Sequence, residues 1–152
     1  MAILDQEELT VHQVSSIIYD FTMIHEQYYA VSEDGFIPVD NPSMLIPYVD
    51  EAGTKHRLVV PEVLDNINDT VYLDSQGTIY QAFINENSVS IKTLLDMENT
   101  QTMPSMLEHS VTLIQGNVKT AKMIYEYNLL SGELSEPVQF NLDRFYHVVR
   151  IQ

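Results

Sequence analysis

The chain has 152 residues and no cysteine, and 7 basic against 22 acidic side chains give a formal net charge of −15. The absence of cysteine excludes a disulfide framework and a thiolate nucleophile, and the scarcity of bases argues against direct binding to phosphate backbones. Apolar residues at 45% suffice for a packed core, and this length is expected to fold as one domain, residues 1–152.

The acids are unevenly placed. The first 54 residues hold ten (Asp5, Glu7, Glu8, Asp20, Glu26, Glu33, Asp34, Asp40, Asp50, Glu51) and no Lys or Arg. A basic partner surface is the natural complement. No run approaches the ~18 apolar residues of a membrane helix. Met1-Ala2-Ile3-Leu4 lacks the positive charge that opens an export signal, so synthesis in the cytoplasm is expected.

Residues 5–29 read as a helix. Val11, Val14, Ile17, Ile18, Phe21, Ile24, His25 and Tyr28 follow three-four spacing, and Asp5, Glu7 and Glu8 suit the positive end of a helix dipole. β-branched residues are dense for a helix, so packing rather than propensity would have to hold it. Residues 30–60 read as a proline-containing extended arm. Glu33-Asp34-Gly35 marks a turn, and prolines at 38, 42 and 47 argue against a central strand. Tyr48-Val49 and Leu58-Val59-Val60 flank a candidate hairpin turn at 50–54. Lys55-His56-Arg57, the basic cluster between them, is a solvated strand end or a partner for the acidic N-terminal third.

Residues 61–152 read as an antiparallel β core. Pro61 to Asn68 suggests one helical turn. Residues 71–73, 78–84 and 88–95 then form strands separated by Asp74-Ser75-Gln76-Gly77 and Asn85-Glu86-Asn87, a meander. Asp96 to Ser105 is polar, contains Pro104 and reads as a loop. His109 to Gln115 is a strand running into a Gly116-Asn117 turn. From Val118 to Leu142 the pattern is period two. Ala121, Met123, Tyr125, Tyr127 and Leu129 share one face, and after Ser131-Gly132-Glu133 the alternation resumes with Val138, Phe140 and Leu142. A last strand, 145–151, carries apolar residues on both faces.

Motifs for chemistry fail. His25-Glu26-Gln27-Tyr28-Tyr29 starts like a zinc-protease helix but ends on Tyr29 in place of the second imidazole. Asp65-Asn66-Ile67-Asn68-Asp69 has Ile67 where a calcium loop needs an oxygen ligand. There is no phosphate loop and no nucleophile elbow. No cofactor or metal is expected, and sequence spacing singles out no carboxylate pair for acid–base work.

The expected fold is therefore α+β and mostly β: an N-terminal amphipathic helix packed on an antiparallel sandwich or barrel of hairpins. The expected role is that of a non-enzymatic structural or assembly subunit acting through protein–protein contacts, with other copies of itself or neighbouring subunits as partners. Its candidate interface residues are Ile18, Phe21, Tyr28 and Tyr29 on the helix and Phe145, Tyr146, Val148 and Ile151 on the last strand. Many Asn and Gln residues, no cysteine and short hairpins resemble the composition of bacteriophage tail, neck or baseplate subunits, which would place the chain in a virion. The alternative is an acidic decoy that occupies a basic, nucleic-acid-binding surface of a partner.

Overall fold

The computed structural model describes residues 2–5, 8–11, 16–117 and 121–140. Every regular element among them is a strand. In chain order these are β1 (Ala2–Asp5), β2 (Glu8–Val11), β3 (Ile18–Ile24), β4 (Gln27–Ser32), β5 (Gly35–Pro38), β6 (Ile46–Val49), β7 (Lys55–His56), β8 (Glu62–Ile67), β9 (Thr70–Ser75), β10 (Thr78–Asn85), β11 (Ser88–Asp96), β12 (Thr100–Pro104), β13 (Ser110–Asn117), β14 (Ala121–Asn128) and β15 (Val138–Phe140). The chain divides into two compact units, residues 1–75 with 79–94 and residues 76–78 with 95–152.

The fold is all-β, so the expected N-terminal helix is overturned. Residues 18–32 form the antiparallel hairpin β3–β4, in which Thr22 pairs with Tyr29 and Met23 with Tyr28. Both residues of its turn, His25 and Glu26, take positive φ (49° and 65°), the pattern whose twist matches paired strands. The three-four stripe coexisted with a period-two pattern. Thr22 and Ile24 are buried, while Phe21 and Met23 are exposed. The β-branched side chains that would lose freedom in a helix fit a pleated surface instead.

The first unit is built on one curled sheet in the order β3-β4-β5-β6-β11-β10-β9-β8, with β7 paired to β6. β6 and β11 run parallel through Tyr48↔Val89 and Val49↔Ser90. The two ends of the order, β3 and β8, lie side by side, which nearly closes a barrel. Side chains complete the seam. Asp20 Oδ2 accepts the Val63 amide at 2.7 Å, and Asn66 Nδ2 donates to Thr22 Oγ1 at 3.0 Å and to the Met23 carbonyl. Asp69 accepts the His25 amide at 3.1 Å and faces the His25 ring at 3.1 Å. Side chains thus cover the two sheet edges that main-chain pairing leaves unjoined.

Proline does not keep residues 36–48 at an edge, because β5 and β6 are both interior. The strands are only four residues long. Pro38 is the last residue of β5, and β6 pairs with β5 through Ile46 and Pro47 but with β11 through Tyr48 and Val49. The missing Pro47 donor therefore interrupts little of the ladder. The core collects Ile24, Tyr29, Val31, Phe36, Ile46, Tyr48, Leu58, Val71, Leu73, Ala82, Val89 and Ile91. Phe36 meets Tyr48 edge-on, with ring centroids 5.6 Å apart. Residues 62–67 form β8, not a helical turn, while β9, β10 and β11 match the expected meander.

The sheet of the second unit runs β12-β13-β14-β15. Residues 100–104, expected in a loop, form its polar edge strand. Gly116 and Asn117 lie inside β13, paired with Lys122 and Ala121. The alternation of the β13–β14 hairpin holds, and Val111, Leu113, Tyr127 and Leu129 are buried. After the loop the faces exchange. Val138 pairs with Ile124, but Leu134 bridges Tyr127. This one-residue slip puts Val138 on the face opposite Tyr127, where it is exposed. The expected last strand, 145–151, lies outside the described residues.

Candidate functional site

The outer face of the β3–β4 hairpin is the candidate site. Inward positions are filled by Thr22, Ile24, Tyr29 and Val31, so Phe21, Met23 and Tyr28 must point away from the core. They remain 50%, 42% and 59% exposed. Met23 and Tyr28 are directly paired, and Phe21 follows two residues along on the same face beside Ala30. Three large apolar side chains thus form a contiguous patch where a single exposed one would be unremarkable.

Acids bracket the patch. Glu26, exposed in the turn, adjoins the Met23–Tyr28 end. Glu62 precedes Val63, whose amide is bonded to Asp20, so this exposed acid adjoins the Phe21 end across the seam. Some carboxylates are committed internally. Asp20 Oδ1 accepts the Phe21 amide at 2.8 Å while Oδ2 holds Val63. Asp34 binds Arg57 Nε at 3.0 Å and the Ser16 hydroxyl at 3.0 Å. Asp34 and, less strongly, Glu33 hold the Arg57 guanidinium above its ordinary value. Asp50 Oδ1 accepts the amides of Ala52 and Thr54, and Oδ2 lies 2.5 Å from His56 Nε2. The hydrogen bond from His56, aided by those amides, lowers the Asp50 carboxyl. In the second unit Glu126 accepts the Ser105 and Thr112 hydroxyls, each at 2.6 Å, one on each oxygen. That arrangement ties β13, β14 and the segment after β12 together and leaves the carboxylate satisfied.

Of the sequence-derived interface residues, Phe21 and Tyr28 come together on this face. Ile18 is half-buried at the start of β3, and Tyr29 is buried in the core on the opposite face. Phe145, Tyr146, Val148 and Ile151 lie outside the described residues. The basic cluster does turn to the acidic third of its own chain, through His56–Asp50 and Arg57–Asp34. The three-four stripe does not include Met23. Period two places it with Phe21, and that was the signal that could have found it. Among the described residues no three His, Asp, Glu or Cys side chains converge as metal ligands, and no helix is long and apolar enough to cross a membrane. Comparison of the chain with protein-family models, with curated proteins and with solved structures gave no match.

Proposed function

We propose that this chain is a non-enzymatic assembly subunit that docks a neighbouring protein on the outer face of β3–β4. The observation that carries the reading is the exposed patch Phe21–Met23–Tyr28. Its partner is a protein surface with an apolar centre and a Lys- or Arg-bearing rim. Glu26 and Glu62 flank the patch, and the first 54 residues contain no base, so a like-charged copy would be repelled at this face. A virion tail, neck or baseplate is the setting that the composition favours. The decoy reading is weaker, because Asp20, Asp34 and Asp50 are each engaged in hydrogen bonds within the chain, Asp34 and Asp50 with its own basic side chains.

A peptide of alternating Lys and Phe tests this face, with binding mapped by amide NMR at low and high salt. Docking at the patch predicts shifts centred on residues 21–28, weakened but retained at high salt, and lost in Phe21→Ser/Tyr28→Ser. Shifts spread over the acidic surface and abolished by salt would overturn it in favour of the decoy. Light scattering on the chain alone adds a second check. A salt-indifferent oligomer that the same double variant dissolves would make the occupant a second copy and overturn the basic-partner assignment.

A further inference from the structure

The second unit holds a groove of different chemistry. Two tight turns stand side by side, Gln76-Gly77 and Glu98-Asn99. The Met97 amide donates to the Gly77 carbonyl at 3.3 Å. A Cβ on Gly77 would fall 2.6 Å from Met97 O, so the approach requires glycine. The second turn is fastened to β13. The Gly116 amide donates to Asn99 O at 3.3 Å, and Gln115 Nε2 donates to Glu98 O at 3.2 Å.

Register sets the floor. Gln101 pairs with Ile114 and Gly116 with Lys122, all on one face. The aliphatic stem of Lys122 lies over Gly116, with Cγ 3.3 Å from where a Cβ would stand. The result is an open groove of about 840 Å³ lined by Gln76, Glu98, Asn99, Gln101, Ile114 and Lys122. The side chains of Gln76, Asn99, Gln101 and Lys122 have no hydrogen-bond partner among the described residues. Gln76 and Asn99 take positive φ (52° and 55°), so the fastened turns fix where both amides start.

We propose that this groove binds a carbohydrate. A sugar hydroxyl both donates and accepts, and each of the three side-chain amides offers both functions. Glu98 and Lys122 add a strong acceptor and a strong donor for neighbouring hydroxyls. Ile114 supplies an apolar strip for the C–H face of a ring. The volume lies within the ~300–1,000 Å³ of small-ligand sites, and a lining that mixes polar and apolar surface suits a ligand with both characters, as a sugar has. A single cation, Lys122, does not suit a nucleic-acid backbone. The fastened turns reduce the ordering that binding would require. This site is independent of the β3–β4 face.

The test is an amide NMR titration of the whole chain with chitotriose, maltotriose and sialyllactose, with glycerol as control. Saturable shifts in the Gln76, Asn99 and Gln101 side-chain amides are expected with at least one sugar, and comparing the arms separates neutral from acidic ligands. Asn99→Gly keeps the left-handed turn and removes the amide; Gln101→Ala removes another. Each is expected to weaken binding by about tenfold, while Phe21→Ser/Tyr28→Ser leaves it unchanged. No shift with any sugar at about 20 mM, shifts outside the groove, equal shifts with glycerol, or unaltered affinity in both groove variants would each overturn the proposal.

Discussion

The Tyr48 hydroxyl donates to the Ser32 carbonyl at 2.7 Å, with both residues fully buried. This bond crosses from β6 to the end of β4, beside the turn where the Ser32 hydroxyl donates to the Gly35 carbonyl at 2.8 Å. Burial, with Asp34 nearby, pushes the phenol far above its ordinary value, so it stays a neutral donor. Tyr48→Phe keeps the ring packing against Phe36 and strips one partner from a buried carbonyl. The expected cost is about 1–3 kcal/mol, read by denaturant unfolding. An unchanged midpoint would show that the carbonyl finds another donor.

The seam between β3 and β8 depends on side chains, Asp20 and Asn66 along the strands and Asp69 at the turns, because no run of main-chain pairs joins these strands in the sheet order. Asp20→Ala should leave the Val63 amide without its acceptor and speed its hydrogen exchange, while amides of the interior strand β4 keep their protection. Asn66→Ala should cost about 1–2 kcal/mol by orphaning the buried Thr22 hydroxyl and the Met23 carbonyl. If the two losses add without interaction in a double-mutant cycle, Asp20 and Asn66 are separate links of the seam; a coupling of about 0.5 kcal/mol or more would show that they act as one cooperative closure.

Much of the β half was legible because its turns carry ordinary signals. Gly77, Asn87 and Gly132 mark changes of direction, and the alternation around Tyr125 and Tyr127 shows the buried side. The N-terminal third hid its strands for a physical reason. His25-Glu26 forms a left-handed turn without Gly, Asn or Asp, and an apolar run with three-four gaps satisfies both periods at once. β8 was hidden similarly, since its bulge between Val63 and Asp65 breaks the alternation that would announce it. The β3–β4 patch was half visible, in Phe21 and Tyr28. The groove was not, because Gln76, Asn99 and Gln101 meet only through tertiary pairing and look like loop residues in the sequence.

Asp50 gives a pH prediction. Its folded carboxyl is lowered, first by the hydrogen bond from His56 and then by the Thr54 and Ala52 amides. A lowered acid favours the folded arrangement above the ordinary value of 3.8, and that contribution is lost as the pH falls through the folded value. Order in the 50–56 hairpin should therefore persist across neutral and mildly acidic pH and fray only below the ordinary aspartate range. Asp50→Asn should remove this acid-limb dependence. The Thr54 amide shift followed against pH checks both statements, and an Asp50-dependent transition, absent from Asp50→Asn, with its midpoint above pH 3.8 would contradict the sign.

Val60 offers a stabilising substitution. It sits at φ 43°, a left-handed conformation that a β-branched side chain adopts at a cost. Its side chain is 48% exposed, so shortening it sacrifices little buried area. The next residue, Pro61, is fully buried and fixes the chain path. Val60→Asn keeps the path with a residue that tolerates left-handed backbone. It is expected to stabilise the fold by about 1 kcal/mol, raising Tm by about 2–4 °C for a chain of this size. Val60→Gly should help less, because glycine also gains freedom in the unfolded chain. If both variants melt below the parent, the lost Val60 packing outweighs the relieved backbone, and the side chain contributes more than its exposure suggests.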